Sequence, residues 1–220
     1  MKLGGQVEAA LDKIAYQIVG KINSASHCKI IQQCFRPFGV KVEVIFDDLV
    51  PKNTIIVTGA HSPWRVRQKI EIFMTYNSDS RRVRITKPKW NNLRFDLSQV
   101  LQHELIHKDQ CSYMVIPGEE WEDHHCKVYA SKSKVPHIKQ TQEYFGSTEE
   151  IKAHAHCIMM ELIRLSPRTD PTKLLKRASK LPKAKSPTLK NYFEAFDYDV
   201  NHPVMKRLLK QVVYWIEQGT

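Results

Sequence analysis

The run His103-Glu104-Leu105-Ile106-His107 constrains this chain most, because its chemistry requires a helix. Helical spacing of four puts both imidazoles on one face about one turn apart, where two ring nitrogens can share a metal ion. It also brings Glu104 out beside His103, in reach of a proton on a metal-held water. The flanking residues predict that helix. Leu97, Leu101 and Leu105 form an apolar stripe, and Asp96 followed three residues later by Gln99 matches a capping box, so a helix is expected from Leu97 to Cys111.

Upstream, Val7, Leu11, Ile14, Ile18, Ile22, Ile30 and Ile31 keep helical spacing, with a break between two helices at Gly20 and Asn23-Ser24. Gly39 to Phe46 then alternates apolar and polar residues as a strand does, and Thr54 to Thr58 is a short β-branched run that fits a second. Ile70 to Tyr76 alternates again, Asn77-Ser78-Asp79-Ser80 supplies turn chemistry, and Val83 and Ile85 resume the alternation, so a hairpin is expected there. Beyond Pro88 the pattern is helical: Glu119 to Ser131, Ser147 to about Leu165, and a last amphipathic helix from His202-Pro203 through Ile216.

Composition narrows the class of molecule. In 220 residues no apolar run approaches the ~18 needed to cross a bilayer, and Glu8, Asp12 and Lys13 interrupt any leader-like stretch, so a cytoplasmic chain without a membrane partner is expected. Five cysteines without a CxxC pair read as reduced thiols, and Cys28, Cys34 and Cys126 share no ligand spacing with a histidine. The 34 Lys+Arg against 23 Asp+Glu leave a net +11. Nine of those cations fall in Arg164 to Lys190, where Asp170 is the one acid. Such a proline-punctuated basic bridge can touch a phosphate backbone without reading its sequence, or serve only as a solvated linker.

A catalytic zinc site needs three protein ligands and an open position for water. Cys111 continues the histidine spacing, but eight residues along a helix is about 12 Å, too far to share the ion with His103. Three candidates remain for the third ligand: Glu150, the His124-His125 pair, and Glu119 or Glu120.

The motif and its surroundings resemble the zincin metallopeptidases, in which HExxH supplies two zinc ligands and the general base. Val100 and Leu101 before the motif and the uncharged Leu105 and Ile106 inside it fit that pattern, as does a β-meander leading into the helix. Lys108 and Asp109 depart from it, since those positions are usually uncharged in zincins. The stretch from Tyr144 to His156 resembles the Asp/Glu-Glu-Ile-x-Ala-x-Ala helix start of small phage and prokaryotic metallopeptidases of the gluzincin type, which implies Glu150 as third ligand. Ser147 and Glu150 also match a capping box, in which Glu150 would bond back to the Ser147 amide. Glu149 points some 100° away and reads as a first-turn acid. His154, four residues after Glu150, would face the same metal and can stabilise an oxyanion, as can Tyr144, while His156 and Cys157 lie on other faces. Gly118-Glu119-Glu120-Trp121 is partly similar to the SprT-like branch, which joins peptidase chemistry to DNA, but Pro117 stands where its ligand histidine belongs. The segment from Asn201 to Leu209 also looks like the tail of such phage proteins.

The expectation is therefore an α+β zincin-like domain over residues 1–166, with an N-terminal helix, a small mostly antiparallel sheet, the HExxH helix and a glutamate helix. Residues 167–220 are expected as a basic linker and an amphipathic helix packed on it. The resemblance implies a zinc metallopeptidase acting on a protein or peptide, with one catalytic Zn²⁺ held by His103, His107 and Glu150, Glu104 as general base and His154 assisting. An edge strand, Val83 to Thr86 or the strand before it, would align the substrate. The alternatives are a nucleic-acid-associated protein on the same scaffold and a hydrolase of peptidoglycan stem peptides; a phage origin would place the protein in the host cytoplasm or the virion.

Overall fold

A computed structural model describes residues 3–62, 69–79, 82–113, 137–178 and 185–218. The chain forms two compact units, Met1–Ser112 and Tyr113–Thr220, where the sequence placed its boundary after residue 166. Their apolar cores explain the division, since the helix that carries Glu150 shares its core with the C-terminal helices.

In the first unit, α1 (Leu3–Ile18) and α2 (Ser24–Phe35) precede β1 (Val40–Phe46), β2 (Ile55–Ser62), β3 (Lys69–Tyr76) and α3 (Lys87–Tyr113). Asn23 caps α2 by accepting the Ala25 amide at 2.9 Å, which satisfies a donor that the first turn leaves unpaired. The sheet order is β1-β3-β2, with β1 parallel and β2 antiparallel to β3. It is thus mixed, where a mostly antiparallel meander was expected. Ile70, Ile72, Met74 and Tyr76 of β3 are all fully buried. They pack in one core with Val7, Leu11, Ile14 and Ile18 of α1 and with Leu93, Leu97, Leu101 and Leu105 of α3. Each such side chain contributes roughly 1.5–3 kcal/mol by leaving water.

Two sequence expectations are corrected here. Val83 and Ile85 are buried, as their alternation predicts, but they do not pair with β3 in a hairpin. Both edges of β3 are already occupied, and this segment runs along the α1–α2 connection instead. The Ile85 amide donates to Lys21 O at 2.9 Å, Gly20 N donates to Ile85 O at 2.8 Å, and Arg82 bridges Asn23. Nor does the motif helix begin at Leu97. It starts at Lys87, so Asp96 sits inside it and is not its cap. Trp90 and Leu93 extend the buried stripe backwards, the Trp90 amide donates to Thr86 O at 2.8 Å, and Pro88 falls in the first turn, where a missing N–H costs nothing.

The outer edge of β1 is covered by a side chain. Gln32 of α2 donates from Nε2 to Val40 O and accepts the Val42 amide at Oε1, both at 2.6 Å, taking the place of a neighbouring strand.

The second unit contains α4 (His137–Gly146), α5 (Thr148–Leu165), α6 (Pro171–Ala178), α7 (Pro187–Ala195) and α8 (Pro203–Gln218). The sequence did not predict α4, and the helix expected over Glu119 to Ser131 lies outside the described residues. Ile151, Ala155, Ile158 and Leu162 of α5 pack with Leu175, Leu189, Tyr192, Val204, Leu208 and Val212 from α6, α7 and α8. The basic bridge thus contains α6 and the start of α7, held by this core through Leu175 and Leu189. Glu161 ties down the start of α7: it accepts from the Ser186 hydroxyl, from Thr188 Oγ1 at 2.7 Å and from the Thr188 amide at 3.2 Å. Among the described residues no helix is long and apolar enough to cross a membrane.

Candidate metal centre

The last turns of α3 present the motif in the first unit. His103 and His107 are half-buried and their rings meet edge to face, 4.6 Å between centroids, with the two Nε2 atoms 3.0 Å apart. Two ligands of one tetrahedral zinc at ~2.05 Å bonds would stand about 3.3 Å apart, so a small outward rotation of either ring admits the ion. The donor pair therefore fits a metal. Gln110, one turn further on, places Oε1 3.1 Å from His107 Nδ1.

Glu104 is 6% exposed although it carries an acid. Its environment is set by Gly59 on β2. A Cβ at Gly59 would lie 2.6 Å from Val100 Cγ1 and 2.8 Å from both Cγ and Oε1 of Glu104, distances that real contacts do not reach. Only a glycine lets the strand backbone pass this close to the acid. Two residues along the same face of β2 stands His61, since strand side chains alternate. Burial, the largest cause, pushes the His61 imidazole down to about 4, so it is neutral at physiological pH. Lys108 donates to Phe38 O at 3.3 Å, which ties α3 to the turn before β1 and accounts for one of the two departures from the zincin pattern. Asp109 is exposed.

The second unit holds Glu150 and His154. Ser147 caps α5, its hydroxyl accepting the Glu150 amide at 3.2 Å, while the Ser147 amide donates to Tyr144 O at 3.2 Å. The Ser147 half of the capping box is therefore present, while the Ser147 amide, which the box would have bonded to Glu150, donates to Tyr144 O. The Glu150 carboxylate lies 3.8 Å from His154 Nδ1, and Tyr192 Oη lies 3.2 Å from that same nitrogen. His154 is packed among the rings of Tyr144, Phe145 and Tyr192, with centroids 5.9, 5.5 and 5.6 Å away. Burial, and then the charge of Glu150, pushes the Tyr192 phenol far above its ordinary range, so it remains a hydroxyl. His156 is buried against Trp215, and Cys157 is a core residue.

Within the first unit the structure brings together His103, Glu104 and His107, and within the second Glu150 and His154. Glu119, Glu120, His124 and His125 lie outside the described residues, as does the side chain of Cys111. The sequence reading passed over Gly59, His61 and Gln110. Gln110 was within reach of it, because residues three apart on a helix are neighbours. Gly59 and His61 carry no spacing signal, since only the packing of β2 on α3 brings them to the motif. Comparison of the chain with protein-family models, with curated proteins and with solved structures returns no match.

Proposed function

We propose that the protein is a zinc-dependent metallopeptidase. The observation that carries this reading is the pair of helix-borne imidazoles whose Nε2 atoms converge to 3.0 Å beside a glutamate held under a strand backbone. His103 and His107 would hold the ion, and the resemblance of the Tyr144 to His156 stretch supports Glu150 as the third ligand. Bound there, zinc would supply a Lewis acid that polarises a peptide carbonyl and makes water a nucleophile near neutral pH. Glu104 takes the proton from the attacking water and hands it to the leaving amine. Its burial beside Gly59 keeps the carboxylate in one place during both transfers.

The substrate-aligning edge differs from the expected one. Val83 to Thr86 is not a strand, and β3 is paired on both sides, whereas β2 among the described residues pairs with β3 alone. An extended peptide adding to β2 would run past Gly59 and Glu104.

Metal stoichiometry tests the reading. One zinc per chain, lost in His103→Ala and in Glu150→Ala, supports the ligand set; zinc retained by Glu150→Ala excludes that residue, and no zinc on the wild-type chain excludes the metallopeptidase. A second reading, contact with nucleic acid, is favoured by the exposure of Lys173, Lys176 and Arg177 on α6. It requires salt-sensitive DNA or RNA binding that weakens when these three are neutralised and is indifferent to Glu104→Gln.

A further inference from the structure

We propose that Gln110 is a positioning residue: it holds the proton of His107 on Nδ1, which makes His107 the preset metal donor and leaves His103 as the ring that changes tautomer when a metal binds. The statement about the metal rests on the zinc reading above. The statement about the tautomer does not.

The argument is a count of protons. Gln110 Oε1 stands 3.1 Å from His107 Nδ1, and a carbonyl oxygen only accepts, so Nδ1 carries the hydrogen. A neutral imidazole has one N–H, which leaves a lone pair on His107 Nε2. His103 Nε2 lies 3.0 Å from that lone pair. Two lone pairs at this distance would repel, so in the metal-free protein His103 carries its hydrogen on Nε2 and donates it to His107. His103 and His107 would hold a metal through both Nε2 lone pairs, for which the His103 proton would move from Nε2 to Nδ1 and leave the ring neutral. Outer partners of this kind set ring orientation and ligand basicity in metal sites. Here the partner comes from the same helix, three residues on, so α3 itself carries both ligands and the group that orients one of them.

Gln110→Ala removes the acceptor while keeping a strong helix former, and Gln110→Glu keeps an acceptor. Nitrogen-15 NMR of labelled histidine in the metal-free protein should show Nδ1–H on His107 and Nε2–H on His103. In Gln110→Ala, His107 should populate both tautomers, and in Gln110→Glu it should keep Nδ1–H. Competition between the protein and a chelator for zinc should show affinity lower by about 10–100-fold in Gln110→Ala and restored in Gln110→Glu. Nε2–H on His107 of the wild-type protein, or a Gln110→Ala variant with both tautomer and zinc affinity unchanged, would overturn the proposal. A wild-type protein that takes up no zinc removes the metal reading, and the tautomer measurement then decides the role of Gln110 alone.

Discussion

Two helices in this molecule carry an ionisable pair at the same four-residue spacing, and their surroundings differ. On α3, His103 and His107 turn their Nε2 atoms toward each other, with Gln110 as the outer partner of His107. On α5, Glu150 and His154 are 3.8 Å apart, and His154 is enclosed by aromatic rings and bonded to the Tyr192 hydroxyl. Spacing alone thus brings two groups to one face, and the neighbours decide what the pair can do. The pair whose nitrogens converge is the one proposed to share an ion. In the second pair it is His154 that the aromatic packing engages, which leaves Glu150 as the member proposed as a ligand.

The largest expected effect separates the two most sharply. Glu104→Gln should lower hydrolysis of a cleavable peptide on the order of 10³-fold with zinc content unchanged, whereas His154→Gln should cost under tenfold if its main role is packing. Comparable losses in kcat from the two variants would erase the contrast. Next comes the backbone beside each pair. Gly59→Ala must displace Val100 or Glu104 and should cost about 1–3 kcal/mol by denaturant midpoint. In the second unit a Cβ at Gly146 would meet Val204 at an ordinary 3.5 Å, so Gly146→Ala should stay within about 0.5 kcal/mol. Equal shifts would show that the close approach at Gly59 is relaxed in solution.

The pH dependence of the metal-free protein sharpens the electrostatic side. His61 resists protonation down to about 4, while the unfolded chain takes up that proton near 6.5. The contribution is therefore fully present above 6.5 and is lost as pH falls from there to about 4. Solvent contact at this ring reduces it to about 2 kcal/mol, and His61→Gln should flatten that part of the stability curve. Tyr192→Phe removes the hydroxyl partner of His154 and should cost about 0.5–1.5 kcal/mol in thermal or chemical unfolding. No measurable change would mean that the rings, not the hydrogen bond, hold His154.

Much of this was legible in the residues. The stripe Leu97, Leu101, Leu105 located the motif helix, Ser147 and His202-Pro203 located the starts of α5 and α8, and alternation located β1 and β3 and the burial of Val83 and Ile85. Alternation reports which side chains face inward and is silent on strand partners, so the parallel β1–β3 pair and the escape of residues 83–86 to the α1–α2 connection were not visible. The start of α3 lies at Lys87 because the capping-box match at Asp96 and Gln99 falls inside the helix, and Pro88 is harmless in a first turn. Residue chemistry alone reached the HExxH motif, but the groups beside it on β2 required a tertiary contact to reveal them.

The Gln32 side chain has a further consequence for how copies of this chain can meet. Its amide occupies Val40 O and Val42 N, so the β1 side of the sheet offers no continuous ladder to another molecule. Among the described residues, β2 is then the edge left for association by strand addition. Two copies joined antiparallel through β2 would each turn a blocked side outward, and growth would end at a pair instead of continuing into a fibre.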